Sequence, residues 1–264
     1  MKFKLIGLLA LLASILTACG GGSGGSERVI VAGSTSVQPY SEVLAEAFVI
    51  SHPGIIIDVQ GGGSSSGIRA ALAGTAHIGA SSRLLREDEM GYWNIEIARD
   101  GLAIVVHPSN PISGLSIEQL QRVFSGEITN WSELGGNDAG IHLIAREEGS
   151  GTRGAFEELI MTGGQFITPR AIVQGSNGAV RQLVSSDPNA IGFLSLGLVN
   201  ETVVALDLDG IAATAENVIN GTYNLFRPFL FLCSEEPQGA TALFIDFILS
   251  PEGRAILAEE GLIP

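Results

Sequence analysis

Serine and threonine hydroxyls stand beside glycines wherever three short apolar runs give way to polar turns. These turns are 33–36 (Gly-Ser-Thr-Ser), 61–67 (Gly-Gly-Gly-Ser-Ser-Ser-Gly) and 149–152 (Gly-Ser-Gly-Thr). A helix that begins at such a turn presents unpaired backbone N–H groups and a positive dipole, so it can bind an anion without any lysine. Any one turn could merely cap a helix, because Ser and Thr are common N-caps. Three turns together, with glycines that let a ligand approach the backbone, favour a shared anion site.

One arginine accompanies the third turn. Arg146 follows an apolar run and stands four residues before Ser150. Its planar guanidinium can donate two parallel hydrogen bonds to a tetrahedral oxyanion. The alternative is a surface arginine that pairs with Glu147. Glu148, between the arginine and the turn, could hold the guanidinium in place or accept a proton from a protonated anion.

Other kinds of site find little support. A Walker A motif requires a lysine, and the only two lysines are at positions 2 and 4. The turn at 149–151 is not a G-x-S-x-G nucleophile elbow. The four histidines (His52, His77, His107 and His142) are scattered without metal-ligand spacing, so each is interpreted as structural or solvated. We therefore expect no metal and no cofactor.

Composition limits the possible partners. The chain has 264 residues, 28 acidic and 14 basic side chains, a formal charge of −14 and 45% hydrophobic residues. Plentiful apolar residues exclude a disordered chain, and the acidic balance argues against nucleic-acid binding. The charge does not exclude a small anion, because salt screens distant charges within about 8–10 Å while a buried site acts at contact distance.

The elements that must position these turns recur along the chain. Apolar runs at 29–32, 55–59, 141–144 and 171–173 each lead into a Gly/Ser-rich turn and then a helical pattern. This alternation predicts an α/β fold with mainly parallel strands. The turns that follow parallel strands meet at one edge of a sheet, where ligands bind in such folds.

Two long apolar stretches, 102–108 and 223–233, look like crossings between two lobes. We predict that residues 28–104 and 224–264 form lobe I and that residues 105–223, inserted between them, form lobe II. The last stretch, a helix pair broken at 250–251 (Ser-Pro), would return to lobe I. The ligand cleft would then lie between the lobes.

Residues 1–18 have the pattern of a secretory signal. Lys2 and Lys4 precede an apolar stretch at 5–16, about 12 residues long, which is too short to span a bilayer. The stretch ends in Leu-Thr-Ala-Cys, which resembles the bacterial lipobox. We therefore predict cleavage before Cys19, lipid attachment to its thiol, and a flexible Gly/Ser tether over 19–27.

An ordinary signal peptide with a chance cysteine is the alternative to this lipid anchor. Cys233 lies in an apolar run and has no partner once Cys19 is acylated. We expect it to be a small buried hydrophobe rather than part of a disulfide.

Taken together, these motifs resemble the phosphate-binding proteins of bacterial Pst ABC transporters, a family of extracytoplasmic solute-binding proteins. The resemblance runs from about residue 28 to the C-terminus. The segments that carry it are 33–39, 60–67, 78–83, 123–126 with 130–131, 146–152, and 176–179 with 187–192. The combination of Arg-x-x-x-Ser-Gly-Thr at 146–152 with the Gly/Ser turn at 61–67 is specific, whereas single turns are not.

The resemblance implies a two-lobed, hinged periplasmic-binding-protein fold (type II-like), with two mainly parallel sheets joined by a two-segment hinge. It also implies a set of phosphate-binding residues that donate from hydroxyls, backbone N–H groups and one guanidinium. These are Thr35, Ser36, Ser64, Ser82, Arg146, Ser150, Gly151 and Thr152. Glu148 falls where the family has a carboxylate that supports the arginine.

One position departs from a well-known branch of this family. That branch has an Asp where this chain has Ser82, and the Asp accepts the proton of monohydrogen phosphate and repels sulfate. Our hypothesis is that Glu148 or a backbone carbonyl takes the acceptor role here.

The resemblance predicts a monomeric, lipid-anchored protein that captures inorganic phosphate outside the cytoplasm and delivers it to the membrane permease of an ABC importer. The lobes would close over the anion, and no covalent bond would change. Alternatives are a binding protein for sulfate, molybdate or tungstate, an anchored sensor or adhesin of the same fold, or a secreted phosphatase with a Ser nucleophile. A phosphatase would need a positioned base or metal that the sequence does not supply.

Overall fold

The computed structural model describes residues 26–264, which form alternating strands and helices. The strands are β1 (Glu27–Gly33), β2 (Ile55–Gly61), β3 (Ile78–Ser81), β4 (Trp93–Val106), β5 (Gly114–Leu115), β6 (His142–Arg146), β7 (Ile172–Gln174), β8 (Ala190–Ser195), β9 (Val204–Ala205), β10 (Asp207–Leu208) and β11 (Phe226–Cys233). The α-helices are α1 (Gln38–Ser51), α2 (Ser64–Leu72), α3 (Ile117–Ser125), α4 (Gly151–Leu159), α5 (Asn177–Ser186), α6 (Ala215–Ile219), α7 (Gly239–Leu249) and α8 (Pro251–Glu259).

The long strands form two sheets that share β4. In lobe I, β2, β1 and β3 are parallel, and β11 runs antiparallel to both β3 and β4. In lobe II, β7, β6 and β8 are parallel, and β4 runs antiparallel to β8 and β9. Each sheet therefore combines three parallel strands with antiparallel crossing strands, and the predicted two-lobed α/β class is confirmed.

Strand β4 passes from one lobe to the other in mid-course. Its residues 93–101 pair with β11, whereas residues 102–106 pair with β8. The segment before β11 makes the return crossing, since the N–H of Leu102 donates to the carbonyl of Leu225 at 2.8 Å. The lobe boundaries drawn from the sequence, at 104/105 and 223/224, stay predictions; they lie within β4 and just before β11.

Each lobe has an aromatic core. In lobe II, Phe156 stacks on Phe193 with ring centroids 4.1 Å apart, and both rings are fully buried. In lobe I, Phe48 of α1 packs edge-on against Phe244 of α7 at 5.3 Å. The helix pair α7–α8 therefore returns to lobe I as predicted, and the chain turns at Ser250, whose hydroxyl caps α8.

Cys233 is buried at the end of β11, and it forms no disulfide within the described residues. Burial raises the pKa of its thiol to about 11, which disfavours the reactive thiolate. Its role is that of a small hydrophobe in the core of lobe I.

The predicted signal peptide and Cys19 lie outside the described residues, as does most of the tether. From residue 26 onward, no helix is both long enough and apolar enough to cross a membrane.

Candidate functional site

The polar turns singled out in the sequence converge between the two lobes. Lobe I contributes Thr35 and Ser36 after β1, Ser64 at the start of α2, and Ser82 after β3. Lobe II contributes Arg146 at the end of β6 and the first turn of α4, 150–152. The carboxyl ends of parallel strands lead into helix N-termini in both lobes, so both lobes present donors to the same space.

Direct contacts join the two sets across the cleft. The Oγ of Ser36 lies 2.9 Å from the Oγ1 of Thr152, and the Nη2 of Arg146 donates to the Oγ1 of Thr35 at 3.3 Å. The Cα of Gly151 lies so close to Ser64 and Ser82 that an added Cβ would clash with both hydroxyls. The structure thus brings all eight predicted ligands together. Ser150 lies among them because the next residue, Gly151, is in contact with Ser64 and Ser82.

Fixed N–H donors determine which way the hydroxyls on the lobe I side can donate. Thr35 accepts from Arg146 and, at 3.1 Å, from the Nδ2 of Asn177. Ser36 accepts from the same amide at 2.9 Å and from the Nη2 of Arg227 at 3.0 Å. A hydroxyl has two lone pairs and one hydrogen, so both acceptor positions are occupied and the hydrogen is left to donate. Ser36 is therefore the donor in its bond to Thr152, whose own hydrogen stays available.

Two further hydroxyls are oriented by backbone N–H groups. The Oγ of Ser64 accepts from the N–H of Ser82 at 3.1 Å. The Oγ of Ser150 accepts from the N–H of Arg153 at 3.3 Å, as the N-cap of α4. The site is thus biased toward hydrogen-bond donation, which suits an oxyanion that carries acceptors on every side.

Arg146 is held as a buried cation at the edge of this site, with 1% of its surface exposed. Its Nε and Nη2 donate to Glu147 at 2.9 Å each, and its Nε also donates to the carbonyl of Gln174 at 3.1 Å. Its Nη1 is buried and has no hydrogen-bond partner within residues 26–264. A buried unpaired N–H of a guanidinium is costly, so this atom is the clearest anchor for an anion.

The partner of Arg146 corrects a prediction. Glu148 was expected to hold the guanidinium or to accept the proton of the anion, but Glu147 makes the bidentate pair. Glu148 is exposed, and its carboxylate makes no hydrogen bond in the described part of the chain. Gly149, with φ +86°, turns the chain back into α4 and leaves Glu148 on the outside of the turn.

Replacing Glu147 or its neighbour Glu148 with glutamine should therefore have different effects on the stability of the protein. In the ligand-free protein, Glu147→Gln leaves the buried Arg146 without its anionic partner. We expect a loss of about 1–3 kcal/mol in the free energy of unfolding. Glu148→Gln should change it by no more than about 0.5 kcal/mol and leave oxyanion preference unaltered. Urea unfolding of both variants measures the difference; equal effects would contradict the assignment.

Ser82 occupies a buried position but meets no carboxylate. Its Oγ accepts from the Oγ of Ser34 at 2.7 Å. In the described residues, none of the predicted ligand hydroxyls hydrogen-bonds to Asp or Glu. Glu148 is exposed on the outside of the turn, so the structure lends no support to it as the acceptor of a phosphate proton. That suggestion and the alternative, a backbone carbonyl, both stay predictions.

Arg83, which follows Ser82, supports the loop instead of facing the cleft hydroxyls. It makes a bidentate ion pair with Glu89 at 2.7 and 2.8 Å and donates to Ser65 at 3.1 Å. Burial alone would raise the pKa of Glu89, but the hydrogen bonds from Arg83 and from the Arg86 N–H outweigh it and lower the pKa.

Sequence reasoning missed three buried residues of this network: Asn177, Arg227 and Asp100. Asn177 opens α5 directly after Ser176, so the hydroxyl–glycine pattern used for the other turns could have found it. Arg227 had a weaker signal, a charged residue within an apolar stretch that proved to be a buried strand.

Comparison with known proteins agrees with this architecture. Residues 20–252 match the model of the PBP superfamily domain. The phosphate-binding protein PstS of Bacillus subtilis (strain 168) is 30% identical over 283 aligned positions, covering 100% of this chain and 94% of the relative. The chain belongs to the PBP superfamily and is PstS-like.

Solved structures of this family share the fold. A phosphate ABC transporter substrate-binding protein from Clostridium perfringens, solved with bound phosphate, superposes with a TM-score of 0.87 at 43% identity, covering 90% of this chain and 99% of that one. An ABC-type phosphate transport receptor from Vibrio cholerae superposes with a TM-score of 0.74 at 38% identity, covering 89% and 99%. These relatives are substrate-binding proteins and transport receptors by description.

Proposed function

We propose that this PstS-like protein captures inorganic phosphate between its two lobes and delivers it to the membrane permease of an ABC importer. The single observation that carries the proposal is the buried Nη1 of Arg146, which has no hydrogen-bond partner within residues 26–264 and lies beside hydroxyls that are left to donate. Relatives described as phosphate-binding proteins support phosphate as the anion.

Closure of the lobes would couple binding to delivery. Donors from both lobes face the same space, so a bound anion would connect them and favour the closed arrangement over an open one. Contacts such as that of the Ser65 N–H with the Gly149 carbonyl, 3.1 Å across the cleft, form only when the lobes are together. A permease can distinguish these two shapes.

The geometry gives less support to a phosphatase. Within residues 26–264, no histidine hydrogen-bonds to any of the predicted ligand hydroxyls. None of these hydroxyls therefore has a histidine as the general base that a nucleophile needs. The Oγ of Ser150 is occupied as a helix cap. Among these residues, no group of three or more His, Cys, Asp or Glu could hold a metal ion.

Calorimetric titration of the mature chain with phosphate, sulfate and molybdate tests the ligand. We expect saturable binding of phosphate and weaker binding of the other two anions. Tight sulfate binding with no phosphate binding would overturn the assignment and favour the other-oxyanion alternative. Turnover of a phosphomonoester that is lost in Ser150→Ala would instead establish a hydrolase.

We also propose that the protein is a monomer held to the outer face of a bacterial membrane by lipid on Cys19. In producing cells, Cys19→Ser should shift the protein from the membrane to the soluble fraction and abolish incorporation of labelled fatty acid. Cys233→Ser is the matched control and should retain both label and membrane association. A Cys19→Ser protein that still carries the label would refute the anchor.

A further inference from the structure

Arg227 lies at the crossing between the lobes, within reach of the site. It is on β11 directly opposite Asp100 of β4, and the two strands are antiparallel neighbours there. Both side chains are buried, with 2% and 1% of their surfaces exposed. Burying an arginine in this way is costly unless every part of the guanidinium is paired.

The pair with Asp100 satisfies the carboxylate but not the guanidinium. The Oδ2 of Asp100 accepts from the Nη2 of Arg227 at 3.0 Å, from its Nε at 3.3 Å and from the Oγ of Ser195 at 2.8 Å. The Oδ1 accepts from the Gly197 N–H at 3.5 Å. On Arg227, the Nη1 is buried and has no hydrogen-bond partner within the described residues.

The guanidinium of Arg227 also reaches the predicted ligands directly. Its Nη2 donates to the Oγ of Ser36, the hydroxyl that contacts Thr152 across the cleft. Arg146 makes the equivalent contact with Thr35, one residue away. Both arginines thus contact consecutive hydroxyls, and each has one buried nitrogen that finds no hydrogen-bond partner in the part of the chain that the structure describes.

The buried guanidinium groups of Arg146 and Arg227 repel each other electrostatically. Burial is the main cause that lowers the pKa of Arg227, and the positive charge of Arg146 lowers it further, while Asp100 acts in the opposite direction. An anion between the two arginines would offset both the repulsion and the unpaired N–H groups.

We infer that Arg227 is a second guanidinium ligand of the bound oxyanion, held at the hinge by Asp100, and this rests on the proposed function. The anion would then contact lobe I, lobe II and the crossing strand β11 together. Asp100 would balance the charge of Arg227 in the ligand-free protein without contacting the anion, because its carboxylate contacts Arg227 and Ser195 and not the predicted ligand hydroxyls.

A double-mutant cycle separates a ligand from a merely structural ion pair. Phosphate affinity is measured by calorimetry and ligand-free stability by urea unfolding, for wild type, Arg227→Gln, Asp100→Asn and the double variant. We expect Arg227→Gln to weaken phosphate binding roughly 30-fold or more. Asp100→Asn should lower ligand-free stability and bind phosphate at least as tightly as wild type, because the anion then supplies the missing charge. The double variant should recover stability without recovering affinity.

Wild-type affinity in the double variant, or in Arg227→Gln, would overturn the inference and show a structural ion pair alone. If Arg227→Gln does not fold, Arg227→Lys takes its place, because lysine keeps the charge but cannot donate two parallel hydrogen bonds. Arg227→Lys should bind phosphate about tenfold more weakly than wild type. Unchanged phosphate affinity in this variant would also overturn the inference. Absence of phosphate binding by the wild type would instead refute the proposed function.

Discussion

Replacing Arg146 with glutamine should reduce phosphate affinity by roughly 30-fold to several thousand-fold, the largest effect expected of any single substitution at this site. Arg146 is almost completely buried, and its Nη1 has no hydrogen-bond partner among residues 26–264. Its other nitrogens already donate to Glu147, Gln174 and Thr35. Glutamine removes the charge that a desolvated anion needs. It also leaves Thr35 without one of the two donors that orient its hydroxyl.

Equilibrium dialysis or calorimetry with phosphate measures this loss. Arg122→Gln is the control, since Arg122 makes an Arg–Glu ion pair with Glu127 in the same lobe but on the surface. Such an exposed pair contributes little, so its removal should leave phosphate affinity unchanged. Arg146→Lys tests the two-pronged hydrogen bonding of the guanidinium separately from its charge. Lysine keeps the charge as a single ammonium, so this variant should recover only part of the phosphate affinity. An Arg146→Gln protein that binds like wild type would place the anion elsewhere.

Local signals in the sequence were enough to find the hydroxyl turns. A Ser or Thr beside a glycine after an apolar run marks a helix start wherever it occurs, and parallel strands bring such starts to one edge. Thr35, Ser64 and Ser150 could therefore be assigned to one site from their local patterns alone. The two crossing segments were also visible, as the longest apolar stretches outside the repeated units.

The choice between Glu147 and Glu148 could not be made from sequence. The two side chains are identical in chemistry, and which one meets Arg146 depends on the direction of the backbone between β6 and the positive-φ turn at Gly149. A single-residue difference in a turn has no signature in composition or spacing.

The contacts of Arg227 were hidden for a different reason. Its partners Ser36 and Asp100 are 191 and 127 residues away in the chain. The pairing of β4 with β11 places Asp100 opposite Arg227, and the strand order β1–β3–β11 brings in the turn that carries Ser36. A single sequence does not specify which neighbours a crossing strand will have. A charged residue inside an apolar strand indicated burial but not what the charge contacts.

Gly151 of lobe II lies in close contact with lobe I. It is the first residue of α4, and a Cβ added there would clash with the Oγ atoms of Ser64 and Ser82 and lie 3.0 Å from the carbonyl carbon of Ser82. The Ser64 hydroxyl could rotate away only by breaking its bond to the Ser82 N–H, and no rotation of a side chain moves the backbone carbon of Ser82. The closed arrangement of the lobes therefore requires glycine at position 151, because any Cβ there would clash.

Gly151→Ala should hold the lobes slightly apart and weaken phosphate binding by roughly 5- to 150-fold, the range that corresponds to an overpacking cost of about 1–3 kcal/mol. Alanine keeps the backbone N–H and favours a helix, so neither a lost donor nor a weaker α4 would explain the loss. Gly178→Ala is the matched control in the first turn of α5, because its Cβ would meet only the Ser176 Oγ at 3.9 Å. Calorimetry gives the affinity, and small-angle scattering of the phosphate-saturated protein gives the degree of closure. Wild-type affinity and compactness in Gly151→Ala would show that phosphate is held without this close approach of the lobes.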